Sequence, residues 1–188
     1  MNDSLEDTRP LLVLDLDETI IYSTDAEIPG LTVFRASGHH THVRPHLNEF
    51  LEYVSKSFRI AVWTAASMDY AWDIVKATFP RHIAPMFVWA YSRCTLRRNF
   101  DEDLWVATKP LVKIKRSLGI PLSRVLIIED DPLKAQANYG NAVYVKPFEG
   151  DPADDELRHL AEYLMGLATV ADFRKVEKRG WRRRLINE

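Results

Sequence analysis

The sequence predicts an α/β fold, a parallel sheet with helices on both faces, and three observations lead there. Apolar runs of strand length alternate with stretches of helical spacing, the order that builds parallel strands joined by crossover helices. The length, 188 residues, suits one domain, which can bury roughly 70% of its unfolded surface. Hydrophobic residues make up 46% of the chain and aromatic ones 11%, enough for a core and too much for disorder. One domain over residues 11–188 is therefore expected, behind a short flexible lead, residues 1–10.

The elements follow in order. Leu11–Leu14 (LLVL) is a buried strand that stops where DLDET begins. From Ile20 to Val43, β-branched and aromatic residues are broken by IPG and SGHH, which predicts short strands joined by turns, a β flap after strand one. Pro45 then opens a helix with Leu47, Phe50, Leu51 and Val54 on one face. Phe58–Trp63 (FRIAVW) is the second buried strand, running into the helical stretch TAASMDYAWDIVKATF, where Tyr70, Ile74 and Ala77 recur at helical spacing. MFVWAY is a third strand, and RCTLRRNFDEDLWVAT reads as edge structure before the helix LVKIKRSL, stopped by Gly119. RVLII is a further strand ending in EDDP, and NAVYV is the last. DPADDELRHLAEYLMGL is a helix whose acidic first turn suits its dipole and whose Leu157, Leu160, Ala161 and Leu164 share a face. The stretch from Arg174 to Arg184 is basic, which is most simply a solvated face.

Composition removes several functions. Lys plus Arg number 25 against 27 Asp plus Glu, a net charge of -2, so the chain is no polyelectrolyte for nucleic acid or membrane surfaces. None of the 7 glycines lies in GxxxxGK or GxGxxG, which excludes the phosphate loop and the dinucleotide fingerprint. No apolar stretch approaches the roughly 20 residues of a membrane span, and MNDSLEDTRP lacks the apolar centre of a secretory signal. A lone cysteine, Cys94, can form no internal disulfide and suits a reducing compartment, so the expected location is the cytoplasm, or the nucleus in a eukaryote. Cys94 also lacks the arginine six positions on that a thiol phosphatase needs, where Phe100 stands. His39, His40, His42 and His46 are expected as surface imidazoles, and Trp63, Trp72, Trp89 and Trp105 as packing residues, Trp105 also flanking a peptide groove near Lys109.

In an open α/β sheet, ligands bind beyond the carboxyl ends of the strands. Here those ends carry Asp15, Asp17 and Thr19 after strand one, Thr64 after strand two, and Glu129, Asp130 and Asp131 after RVLII, with Lys109 before a helix. Each alone is commonly a turn cap or a solvated charge. Together, several like charges at one edge call for a neutraliser, and Mg²⁺ prefers such oxygens while keeping waters for a phosphate to replace.

DLDET with its following Ile, RPH-x-x-EF-L, WTAAS, TKPL and IIEDDP, in that order, resemble the haloacid dehalogenase superfamily of phosphatases. They are closest to the branch of the RNA polymerase II C-terminal domain phosphatases and nuclear LIM interactor-interacting factors, and the similarity runs from about Leu11 to Trp181. The resemblance implies a Rossmann-like sheet and a Mg²⁺-dependent phosphomonoesterase working through an aspartyl phosphate. It makes Asp15 the nucleophile and Asp17 the general acid and base. Thr64 and Lys109 would hold the phosphoryl oxygens, and Asp15, Asp17 (through its backbone carbonyl) and Asp130 would hold the metal. Thr19 would orient the loop, and Glu129 would support the metal site or hold a water. Motif four departs from the family's usual Asp by opening with Glu129, and IEDDP offers both Glu129–Asp130 and Asp130–Asp131 as its pair. The intervals Asp17–Arg44 and Thr64–Lys109 are each too short for a cap domain of about 50 residues, so no large cap is expected. An uncapped crevice suits a phosphoserine or phosphothreonine protein or peptide. The alternatives are a small metabolite, a less favoured polynucleotide end, or a noncatalytic binding module of the same fold.

Overall fold

The computed structural model describes residues 7–186. Its elements run β1 (Leu11–Leu14), β2 (Ile21–Thr24), β3 (Val33–Ala36), β4 (His39–Val43), α1 (Leu47–Val54), β5 (Arg59–Trp63), α2 (Met68–Thr78), β6 (Val88–Trp89), β7 (Thr95–Asn99), β8 (Leu104–Thr108), α3 (Val112–Leu118), β9 (Val125–Glu129), β10 (Ala142–Tyr144), α4 (Glu156–Leu167) and α5 (Trp181–Ile186). Five strands form a wholly parallel sheet in the order β10-β9-β1-β5-β6. β1 is central, with Leu14 in register with Val62 of β5 and Ile128 of β9.

Strand periodicity splits the core in two. Leu12, Leu14, Ile60, Val62, Leu126 and Ile128 face α1, α2 and α4, while Leu11, Val13, Ala61, Trp63, Val125 and Ile127 face Leu111 and Ile114 at α3. This is why LLVL and VLII are apolar throughout: a strand buried on both faces has no polar side. It also aims the site, because positions 15 and 129 continue the rows that face α3, the side on which Lys109 precedes the helix.

The flap is a three-stranded antiparallel sheet in the order β2-β4-β3. Its β3–β4 turn is made by Ser37 (φ 49) and Gly38 (φ 89), the paired left-handed conformation that matches hairpin twist. The expected edge structure is a hairpin of β7 and β8.

Several boundaries differ from expectation. α1 starts at Leu47, after His46 in a left-handed conformation (φ 65), so Pro45 lies in the preceding turn. α2 starts at Met68, capped by the Ser67 hydroxyl, which accepts the Tyr70 N–H at 3.3 Å; Thr64 is therefore free of capping duty. α4 starts at Glu156, because residues 151–155 close a turn on Asp151, whose Oδ1 accepts the Ala153 N–H. Of MFVWAY, only Val88–Trp89 is regular strand, in register with Val62 and Trp63, while Met86 and Phe87 add backbone hydrogen bonds to β5. Residues 1–6 of the expected lead lie outside the described residues, while the carbonyls of Arg9 and Pro10 accept hydrogen bonds from Arg59.

Two packing expectations are corrected. Trp63 and Trp89 are buried edge to face, but Trp72 and Trp105 are 41% and 66% exposed, since α2 and β8 each have a solvent face. His42 is not a surface imidazole. It is fully buried, and its Nε2 accepts the Ile28 N–H at 2.8 Å, pinning the β2–β3 connection. His39 is exposed and reaches Asp25, whereas His40 and His46 are half-buried.

Candidate active site

Three adjacent strands deliver the site. The Asp15 N–H continues the ladder onto the Ile128 carbonyl at 3.1 Å, the Thr64 N–H onto Trp89 at 2.9 Å, and Glu129 ends β9. Asp15, Thr64, Lys109 and Glu129 are all buried. The Lys109 ammonium lies 2.6 Å from Asp15 Oδ1 and 2.7 Å from Glu129 Oε2. Lys134 stands 3.9 Å from each of Asp15 Oδ2, Glu129 Oε1 and Asp130 Oδ1.

Burial works against charge on both inner carboxyls, and the lysines decide which keeps it. At Asp15 burial is outweighed by the Lys109 charge, a hydrogen bond with Glu129 and the Lys134 charge, so its pKa falls below the usual carboxylate range. Glu129 is pushed up to about 10 by burial and then by the Asp15 charge. The lysines thus favour Asp15 over Glu129 as the anion of the pair. Asp17 is raised by burial and the Asp15 charge, against a hydrogen bond from Tyr70.

The loop after β1 is tightly wound. The Leu16 carbonyl faces the N–H groups of Thr19, Ile20 and Ile21, and Glu18 takes a left-handed φ of 56, a conformation that non-glycine residues adopt at a cost. Arg44 fastens it. This buried guanidinium donates to the Thr19 carbonyl at 2.8 Å, the Lys146 carbonyl at 2.9 Å, and both Asp154 oxygens at 2.8 and 2.9 Å. Thr19 Oγ donates to Asp130 Oδ1 at 3.2 Å, a bond that orients the loop.

The carboxylate oxygens able to share an ion are those of Asp15, Glu129 and Asp130, all within 4.8 Å of one another. Buried Asp15 Oδ2 and Glu129 Oε1 accept no hydrogen bond, and an all-oxygen set with orphaned acceptors fits Mg²⁺. The Asp17 carboxylate is engaged elsewhere, accepting from Tyr70 Oη at 2.7 Å and Thr64 Oγ1 at 3.4 Å. Asp131 Oδ1 accepts the Leu133 N–H at 2.8 Å, closing the turn that carries Lys134.

Four residues of the site region were not identified as functional from the sequence: Lys134, Tyr70, Arg44 and Asn138. Lys134 follows Asp130 by one helical turn, a spacing that could have signalled it. Tyr70 was read only as a core-facing helix position, yet its hydroxyl also meets Ser23 Oγ at 3.0 Å, which in turn meets Thr41 Oγ1 at 2.9 Å. That chain ties the flap to Asp17. The Asn138 amide bonds the Lys109 carbonyl and the Leu111 N–H, both at 2.8 Å. Tyr70→Phe is expected to slow an alkyl phosphate at least several-fold more than an aryl phosphate, because only the poorer leaving group needs a well-aimed proton from Asp17. Equal slowing of both esters would show that Tyr70 serves packing alone.

Residues 10–174 match the family described as NLI interacting factor-like phosphatase. The chain is 30% identical over 187 residues to the CTD nuclear envelope phosphatase 1 homolog of Drosophila melanogaster, covering 91% of this chain and 72% of that protein. It is 32% identical over 173 residues to the mitochondrial import inner membrane translocase subunit TIM50 of Kluyveromyces lactis, covering 90% of this chain and 32% of that one. The chain thus spans about a third of the translocase subunit's length. Among solved structures, the fission yeast RNA polymerase II CTD phosphatase Fcp1 bound to beryllium fluoride superposes with a TM-score of 0.57 at 18% identity, covering 95% of this chain and 55% of that one, a likeness of fold. Among the described residues no helix is long and apolar enough to cross a membrane.

Proposed function

The chain belongs to the NLI interacting factor-like phosphatase family, and from that premise we propose that it is a Mg²⁺-dependent phosphatase of phosphoserine or phosphothreonine in proteins. The observation that carries this reading is a buried Asp15 carboxylate, kept anionic by Lys109 at 2.6 Å, with Asp17 and Thr64 beside it. This intact quartet also favours catalysis over a noncatalytic module.

The chemistry divides one displacement into two easier ones. An Asp15 oxygen attacks phosphorus and the bond to the serine oxygen breaks, while Asp17 gives that oxygen its proton. Asp17 then takes a proton from water, which attacks the aspartyl phosphate, releases inorganic phosphate and restores Asp15. Asp17 suits both steps because its raised pKa lets it hold and return a proton. Lys109 and the Thr64 hydroxyl hold the phosphoryl oxygens as negative charge develops. Asp15, Asp130 and the Asp17 backbone carbonyl would hold Mg²⁺, with Glu129 kept behind them by Lys109. When bound, the ion offsets the charge of the phosphoryl group.

The substrate class rests on access. The flap and the β7–β8 hairpin are the only insertions beside the crevice among the described residues, so recognition falls to residues flanking the phosphate. A phosphothreonine peptide is expected to exceed phosphothreonine, a sugar phosphate and a 3′-phosphorylated oligonucleotide in kcat/KM, because remote contacts add to transition-state binding. EDTA is expected to abolish turnover. A sugar phosphate preferred over every peptide would move the chain to the metabolite class, and turnover surviving exhaustive chelation would remove the metal. In the same assay Asp130→Ala is expected to raise the Mg²⁺ requirement more than Asp131→Ala, whose carboxylate is spent on the Leu133 N–H.

A further inference from the structure

A cavity of about 560 Å³ lies beside edge strand β10, between the turn at Asn138–Gly140 and the segment Arg174–Trp181. Its wall carries four cations, Arg174, Lys175, Lys178 and Arg179, against one acid, Glu177. Lys178 is buried, and its ammonium donates to the carbonyls of Phe173 and Val176, with no ion pair among the described residues. An ammonium has three donors, so one remains. Burial lowers the Lys178 pKa, against the charges of Glu177 and Asp172. Asp172 Oδ1 accepts the Arg174 N–H at 3.0 Å, and Glu177 is bound by Arg179. Arg174 and Lys175 are exposed at the same cavity and likewise make no ion pair. With Glu177 taken up by Arg179, the excess of positive charge in this concave site suits an anion.

One residue of the lining neighbours the crevice. Tyr144 lines it and is in register with Glu129 on the neighbouring strand, and strands lie about 4.8 Å apart. Asn138, on its rim, holds the Lys109 carbonyl. Gly140 fixes the turn against the tail: it has φ +79, and a Cβ there would come within 3.0 Å of the Arg174 carbonyl oxygen. The volume exceeds what one phosphate ion fills and is in the range that holds an extended organic ligand, and Tyr139, 89% exposed, offers a ring at the rim.

We propose that this cavity is an exosite for a second anionic group of the phosphoprotein substrate, a flanking phosphate or a run of carboxylates, held by Arg174, Lys175 and Lys178 while the scissile phosphate lies at Asp15. The proposal rests on the reading of the chain as a protein phosphatase and adds to it a preference for acidic flanks.

The test uses phosphothreonine peptides that differ only in carrying three glutamates, three glutamines or one phosphoserine, placed on either flank. The wild type is expected to turn over the glutamate or phosphoserine peptide roughly tenfold better in kcat/KM than the glutamine peptide on one flank. The double variant Arg174→Glu, Lys175→Glu is expected to lose that advantage while hydrolysing an aryl phosphate at the wild-type rate. Equal rates for acidic and neutral peptides on both flanks, or an advantage that survives the double variant, would overturn the exosite. Fluorescence anisotropy of a labelled, unphosphorylated glutamate peptide separates this from the catalytic reading. Its binding should weaken in the double variant and persist in Asp15→Asn, whether or not the protein turns over any ester. Binding unchanged by the double variant would also refute the exosite.

Discussion

Asp15→Asn is expected to lower kcat on an aryl phosphate by roughly a thousandfold or more, with the fold retained. The amide has the shape of the carboxylate but cannot attack phosphorus. The fold survives because Lys109 keeps Glu129 at 2.7 Å. With the Asp15 charge gone, one of the influences that raise the Glu129 pKa is removed, which shifts Glu129 toward the carboxylate that can face Lys109. Steady-state kinetics and a thermal melt check the two halves. An Asn variant of near wild-type kcat would show that Asp15 is not the nucleophile.

Lys109→Met is expected to cost roughly a hundredfold or more in kcat by removing the charge that meets the transferring phosphoryl group. It should also destabilise the protein by about 3–5 kcal/mol, the usual result of removing one partner from a buried ion cluster. Lys134, at 3.9 Å, is the remaining cation near Asp15 and Glu129. Adding Glu129→Gln to Lys109→Met removes the second buried carboxyl, which competes with Asp15 for the Lys134 charge, and should recover part of the melting temperature without recovering turnover. Turnover returning together with stability would make Lys109 a scaffold residue and leave it no part in the chemistry.

Much of the fold was legible because its determinants are local. Leu11–Leu14 and Val125–Ile128 are apolar at every position because both faces of the sheet are covered, and acids following directly on such runs mark the sheet's carboxyl edge. Asp15, Thr64 and Glu129 can therefore be brought together from the sequence, since they end strands, with Lys109 before the helix that follows the edge structure; the resemblance adds the role of Lys109 in holding phosphate. What escaped was set by topology. Arg44 and Asp154 form one buried ion pair across 110 residues, and no local pattern joins them. Tyr70 sits at a core-facing helical spacing, which hides that its hydroxyl reaches Asp17. His42 is buried beside Thr41 on a short flap strand whose other residues are exposed or half-buried, and the Ile28 N–H that it accepts lies in the β2–β3 connection. Asp131 spends its Oδ1 on the Leu133 N–H, a turn closure that the run of acids in IEDDP does not reveal.

The expectation of a cytoplasmic protein has less behind it than the chemistry. A relative that shares most of this chain carries the nuclear envelope in its name and another the mitochondrial inner membrane, so the fold serves several compartments. The catalytic account depends on none of them.

Phosphate is expected to pass through Asp15. The direct measurement is to quench the wild type during turnover of a phosphothreonine peptide with Mg²⁺, reduce with borohydride, and identify by mass spectrometry which carboxyl has been converted to an alcohol, since an acyl phosphate is reduced where a free carboxylate is not. The account predicts homoserine at position 15, absent when EDTA or Asp15→Asn prevents phosphoryl transfer. Turnover that leaves position 15 unmodified while another residue is reduced, or no residue at all, would contradict it.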